Sequence, residues 1–209
     1  MVSQSILRWG KGILSLIISS FANPVQKVDY FKIINKYISP YSPTYNIYVV
    51  HVSLVTAKAI KIARHLGLSA DQQRFIEEAC MLHDIGIVHV KAKEIGCNGE
   101  MPYIYHIVEG RKILEAEGLP LHARIAENHI GLGGLTKEEI IRDKIPLPHR
   151  NMLCETIEEK IISYADLFYS KNPRRIFIEK SLKQVRAKVK GYGKREEKLF
   201  KEWYEMFEE

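Results

Sequence analysis

Three features of the 209-residue sequence predict an all-α fold. Helix start signals recur along the chain, and apolar residues fall at i, i+3 and i+4 between them. No stretch of useful length alternates apolar and polar residues as a strand would, and there is no internal repeat. The apolar share of 46% and the charged share of 27% are those of an ordinary globular protein. A chain of this size buries roughly two-thirds or more of its unfolded surface, so it needs no disulfide staples.

The elements follow in order, with ends uncertain by a few residues. The first helix is expected over about 3–20, where Ile6, Leu7, Ile13, Leu14, Ile17 and Ile18 share one face. The same stretch, RWGKGILSLIISSFANP, imitates a cleaved signal, with Ser20 and Ala22 as small residues, but is too short to span a bilayer. Asn23-Pro24 and Ser42-Pro43 place a cap before a proline at the first helical position, opening helices over 24–38 and 43–66. Ser69 with Gln72 is a capping box that opens 69–84. Helices over 103–117 and 119–131 follow. Thr136 with Glu139 and Thr156 with Glu159 cap 136–142 and 156–171, and two helices over 174–190 and 194–208 complete the chain. Gly67, Gly86 and Gly118 sit where helices should stop.

Cys80, Cys97 and Cys154 are odd in number and show no CxxC spacing, which points to a reducing compartment and a cytoplasmic protein. The formal charge of +6 is uneven: Lys171 to Lys201 holds 12 Lys and Arg against 3 Glu. Charge runs of this kind are ordinarily a solvated helical face.

Polar residues on apolar faces carry the chemistry. His51 is flanked by Ile47, Leu54 and Val55 at helical spacing, and His83 follows Ile76, Ala79 and Cys80. His129 follows Ile125 and Ala126, and Asp166 lies four residues after Ile162. One such residue is ordinarily a hydrogen-bonded core group. Four together would each cost about 1–3 kcal/mol if unpartnered, and a divalent cation compensates all of them at once. Imidazole and carboxylate without thiolate suit Mn, Fe, Zn or Ni. His83 and Asp84 are adjacent, so both face inward only at a helix end, where Asp84 could bridge two ions. His106, one turn before Gly110, is a further candidate.

The ordered set His51, "HDIG" at His83 to Gly86, His106, His129 and Asp166 resembles the HD superfamily of metal-dependent phosphohydrolases, in particular its small stand-alone HDIG-type proteins. The resemblance runs from about Pro43 to Ser170 and includes the GCNGEMPYIYH loop, ENHIGLGGLTKEE and ETIEEKIISYAD. It implies a helical bundle at 43–172, with an N-terminal helical extension at 1–42 and basic helices at 173–209 packed on the core. It implies a first metal held by His51, His83, Asp84 and Asp166, and a second bridged by Asp84 and held by His106 and His129. One or two divalent ions (Mn, Fe, Co, Ni, Zn or Mg) are expected.

Relatives with extra histidines often carry a His-His pair where this chain has Asn128-His129, and many HDIG motifs continue with Lys where this chain has Ile87. The implied activity is hydrolysis of a phosphoester of a nucleotide or related small metabolite by metal-activated water. His83 and Asp84 stand at its centre, and Arg111 is the candidate phosphate clamp; His122, Lys91 and Lys93 are weighed beside it. The loop Gly96 to Pro102 is expected to line the entrance, and Tyr103, Tyr105, Tyr164, Phe168 and Tyr169 to be core or a base-stacking cluster. The competing reading is a catalytically silent nucleotide-binding regulatory module. No nucleic-acid motif is recognised, so a small phosphorylated molecule, and neither membrane nor nucleic acid, is the expected partner. Oligomeric state has no signal.

Overall fold

The computed structural model describes residues 27–208. The helix expected over 3–20, the Asn23-Pro24 cap and the signal-like stretch lie outside the described residues.

Local chemistry opens most helices where expected. Helix α1 (Tyr30–Tyr37) starts later than the expected residue 24, at Asp29, whose carboxylate accepts from the Lys32 amide at 3.0 Å. Helix α2 (Pro43–His65) starts at Ser42 with proline at its first position. Capping boxes open α3 (Ala70–Leu82) at Ser69, α6 (Lys137–Arg142) at Thr136, α7 (Ile157–Asp166) at Thr156 and α8 (Leu182–Lys190) at Ser181. Between them lie α4 (His106–Ala116) and α5 (Pro120–Asn128), and α9 (Lys194–Glu208) closes the described chain.

Three details correct the sequence reading. First, two short antiparallel pairs occur: β1 (Lys91–Ala92) with β2 (Cys97–Asn98), and β3 (Gly134–Leu135) with β4 (Met152–Leu153). Two-residue strands are too short to show alternation. Second, the helix expected from 174 begins only at Leu182, after the box of Ser181 and Gln184. Residues 171–180 instead fold back on the end of α7, where the Lys180 amide donates to the Phe168 carbonyl at 2.8 Å. Third, Gly86 is not a helix stop of the kind Gly67 and Gly118 provide. Those two adopt φ of +66° and +76°, whereas Gly86 has no positive φ and sits in a 3-10 turn, Ile85–His89.

Two apolar clusters hold the helices together. The larger joins α2, α3, α5 and α7 to α8 and α9 through residues such as Val55, Ile76, Tyr164, Val185 and Phe200. The second joins α1, the other side of α2, the end of α3, and α4 with α5 through Ile34, Tyr48, Leu82 and Leu114. Helix α9 presents Phe200, Trp203 and Phe207 inward, so the basic C-terminal segment is amphipathic and docks on the core. Helix α2 is long and apolar enough to cross a membrane by composition alone. Its buried residues lie in both clusters, and His51 sits on it between them.

Candidate metal centre

Six residues from five places in the sequence meet where α2, α3, α4, α5 and α7 converge. His51 comes from the middle of α2. His83 is the residue after α3, and Asp84 starts the 3-10 turn. His106 opens α4, His129 follows α5 and Asp166 ends α7. The adjacent pair His83-Asp84 faces inward because it occupies a helix end. Tyr48 anchors that end by donating its hydroxyl to the Met81 carbonyl at 2.8 Å.

The cluster divides at Asp84. Its Oδ2 lies 3.2 Å from His51 Nε2 and 3.1 Å from His83 Nε2, and Asp166 Oδ1 lies 3.0 Å from the same His51 nitrogen. Its Oδ1 faces the other side, 3.5 Å from His106 Nε2 and 3.6 Å from His129 Nε2. Within each group, His51, His83, Asp84 and Asp166 or Asp84, His106 and His129, the ligating atoms lie within 4.8 Å of one another. One carboxylate oxygen therefore addresses each group.

Three histidines are oriented by their own backbone. Nδ1 of His83, His106 and His129 lies 2.6, 2.7 and 3.0 Å from the carbonyls of Cys80, Tyr103 and Ala126, each three residues earlier. A carbonyl only accepts, so Nδ1 carries the proton and Nε2 is aimed into the cluster.

The electrostatics are those of a cation site. Burial opposes the ionised form of Asp84, but Lys171 and His83 outweigh it and hold the carboxyl well below the usual range. Asp166 is held down in the same way, against burial, by Lys171 and His51. Burial would lower His83, yet Asp84 and Asp166 push it up to about 10. Burial lowers His106 to about 3 despite Asp84, so its imidazole is neutral.

The donor set fits a divalent cation. His51 Nε2, His83 Nε2, Asp84 Oδ1 and Asp166 Oδ1 are buried and make no aligned hydrogen bond, and Asp84 Oδ2, 3.1–3.2 Å from two imidazole nitrogens, meets only the Lys171 ammonium. Polar atoms crowded together without mutual hydrogen bonds are satisfied by an ion at their common focus.

Other candidates fall elsewhere. Arg111 is held by Glu127 and Glu115, and it does not line the cleft above the cluster. His122 packs against Phe75 and Glu78, in a separate depression. Asn128 donates to Glu159 at 3.0 Å, away from the cluster that His129 faces. The loop Gly96 to Pro102 does not line the cleft either. It pairs β2 with β1 and buries Cys97 against the second core cluster. Tyr164 and Phe168 are core, whereas Tyr103 and Tyr169 do line the cleft.

The residue that sequence reasoning missed is Lys171. Its Nζ lies 2.6 Å from Asp84 Oδ2. It was hidden as the first member of a basic run, and its one signal was position, five residues after Asp166 and just past the end of α7.

A model of the HD domain family matches residues 48–170, more than half of the chain. Two relatives are named tRNA (cytidine(56)-2'-O)-methyltransferase. The one from Thermoplasma volcanium is 33% identical over 125 residues, 59% of this chain and 32% of that protein. The one from Picrophilus torridus is 32% identical over 117 residues, 56% of this chain and 29% of that protein. An uncharacterized protein of Methanocaldococcus jannaschii is 35% identical over 122 residues, 56% of this chain and 63% of that protein. The chain thus spans about a third of the length of the two methyltransferases. No solved structure matches it.

Proposed function

The chain belongs to the HD domain family, and on that premise we propose that it is a metal-dependent phosphohydrolase acting on a phosphoester of a nucleotide or related small metabolite. The observation that carries this reading is the split of Asp84, whose two oxygens each face a separate histidine group. His51, His83, Asp84 and Asp166 would hold one ion; Asp84, His106 and His129 would hold a second. When bound, such ions polarise phosphoryl oxygens and lower the pKa of water from 15.7 to about 7.

The chain's own residues supply the rest. The carbonyls behind His83, His106 and His129 fix which nitrogen faces the cleft, so no ligand must reorient during the reaction. Asp84 and Asp166 stay ionised in a buried site, which keeps negative charge fixed where positive charge is needed. The net reaction adds the water oxygen to phosphorus and releases the ester oxygen, which takes up a proton from that water.

The test is phosphate release from a panel of nucleoside mono-, di- and triphosphates, dinucleoside polyphosphates and sugar phosphates. Mn²⁺, Fe²⁺, Co²⁺ and Mg²⁺ are each supplied, with Asp84→Ala beside the wild type. Turnover restricted to the wild type and to one substrate class supports the reading. Full activity in Asp84→Ala sinks the site assignment, and silence with metal still bound favours the nucleotide-binding module.

The two tRNA methyltransferases favour a second reading, in which the phosphate belongs to RNA. Release of phosphate from tRNA or its terminal fragments, with free nucleotides inert, would select it.

A further inference from the structure

Three lysines from two separate segments converge on the cleft above the His/Asp cluster. The cleft measures about 370 Å³ and is lined by Lys171 and Lys180 from the segment after α7, by Lys188 from α8, and by Tyr103 and Tyr192. Asp166 is the one carboxylate residue that lines it with them among the described residues.

The lysines differ in what they already do. Lys180 donates to the Leu167 and Tyr169 carbonyls at 3.0 and 2.6 Å and so caps the end of α7. Lys188 is exposed, stands 5.7 Å from the centre of the Tyr192 ring, and makes no ion pair among the described residues. Lys171 is the deepest. Its side chain is 14% exposed, and its Nζ contacts Asp84 Oδ2 and lies 6.0 Å from the Tyr103 ring centre.

That position is contested. The oxygen Lys171 touches is the one that His51 and His83 also face, which is where a cation of the first group would sit. An ammonium and a divalent ion repel each other at contact distance, so only one of them can hold Asp84 Oδ2 closely. A lysine head on a flexible four-carbon stem can move outward into the cleft while its backbone stays in place.

We infer that Lys171, with Lys188 and Tyr192 at the mouth, forms a phosphate-binding subsite in which the Lys171 ammonium exchanges Asp84 for the substrate phosphate when a cation takes that oxygen. The identity of the ligand as a phosphate rests on the hydrolase reading above. The subsite narrows the substrate class. Lys171 lies at the floor of a cleft near the small end of ligand sites, which run about 300–1,000 Å³. A terminal phosphate on a body of nucleotide size reaches it, with the body lying along Tyr103 and Tyr192. An internal phosphodiester of a paired nucleic acid does not.

The experiment is calorimetry on the full chain. Mn²⁺ alone is titrated first, and inorganic phosphate is then titrated into the Mn²⁺-loaded protein, for wild type, Lys171→Met and Lys188→Ala. Lys171→Met is expected to bind phosphate about tenfold or more weakly, as loss of a charge-assisted contact implies. Its Mn²⁺ affinity is expected to equal or exceed that of the wild type. Lys188→Ala is expected to weaken phosphate about threefold, as for an exposed charge.

Unchanged phosphate affinity in Lys171→Met overturns the subsite, as does a wild type that binds no phosphate. Loss of Mn²⁺ affinity in Lys171→Met also overturns it, because Lys171 would then support the metal ligands. If melting curves show that Lys171→Met does not fold, Lys188→Ala decides, and unchanged phosphate affinity there counts against the proposal. Calorimetry reads binding alone, and hydrolysis is read separately in the phosphate-release panel above. Phosphate bound through Lys171 without hydrolysis removes the hydrolase reading alone, and hydrolysis with phosphate affinity indifferent to Lys171 removes the subsite alone.

Discussion

Gly86 lies directly against Gly110. A Cβ at Gly86 would collide with the His106 carbonyl and the Gly110 amide and would sit 2.9 Å from the Gly110 Cα. The 3-10 turn that follows Asp84 and the first turn of α4 thus cross backbone to backbone. That approach brings His106 to 3.5 Å from Asp84 Oδ1. The glycine of the HDIG stretch is needed for distance, since its φ is one that other residues adopt.

Gly86→Ala is therefore expected to destabilise the fold by about 1–3 kcal/mol through overpacking against backbone that cannot give way. It should also displace His106, so the number of Mn²⁺ ions bound per chain falls before the protein unfolds. Urea unfolding and metal stoichiometry read the two effects, and a variant with wild-type values for both contradicts this account.

Loading the centre should stabilise the protein. Saturation at about 100 times the dissociation constant adds about 2.7 kcal/mol. For a domain of 150–250 residues each kcal/mol moves Tm by about 2–4 °C, so a rise of roughly 5–10 °C is expected. Asp84→Ala, which removes a ligand common to both groups, should show no rise with Mn²⁺ or Co²⁺ in thermal denaturation.

His106 sets part of the acid response. Burial holds its folded pKa at about 3, against an ordinary histidine value of 6.5. The unfolded chain therefore binds the extra proton first, and stability falls as pH drops from about 6.5 toward 3. His83 runs the other way, since its raised pKa adds stability below 6.5 that is lost as pH rises through about 10. In chelator-treated protein, His106→Gln should show a shallower loss of stability between pH 6.5 and 4 than the wild type. Parallel urea curves for the two across that range would count against a neutral buried His106.

Glu127 is 1% exposed and accepts from both Arg111 and Arg150, which ties the loop before β4 to α5. Removing either arginine leaves the other in place and should cost about 1–2 kcal/mol. Removing both strands a buried carboxylate, for about 3–5 kcal/mol in all. A double-mutant cycle in urea should find the two losses non-additive; strict additivity would mean that Glu127 is solvated after all.

The sequence by itself determined most of the helix starts among the described residues and the identity of the cluster. Serine, threonine and aspartate caps act within three residues of themselves, so their partners are local and legible. The polar residues His51, His83, His129 and Asp166 could be found because each interrupts an apolar face, a pattern that needs no knowledge of what the face touches. Placement at a helix end explained the adjacent His83 and Asp84, although the reason for Gly86 was misread: Gly110, its true neighbour, is 24 residues away.

Only the tertiary structure decided the surroundings of the cluster. Arg111 flanks the turn of His106 and Gly110 and so resembled a clamp, but Glu127 on α5 binds it. Lys171 resembled solvated surface, but the chain turns back after α7 and delivers it to Asp84. Ion-pair partners are chosen by which segments meet in space, through charges that act over several ångströms regardless of sequence separation. A local pattern records what a residue does to its own helix. Which carboxylate a long cationic side chain reaches depends on how the helices pack.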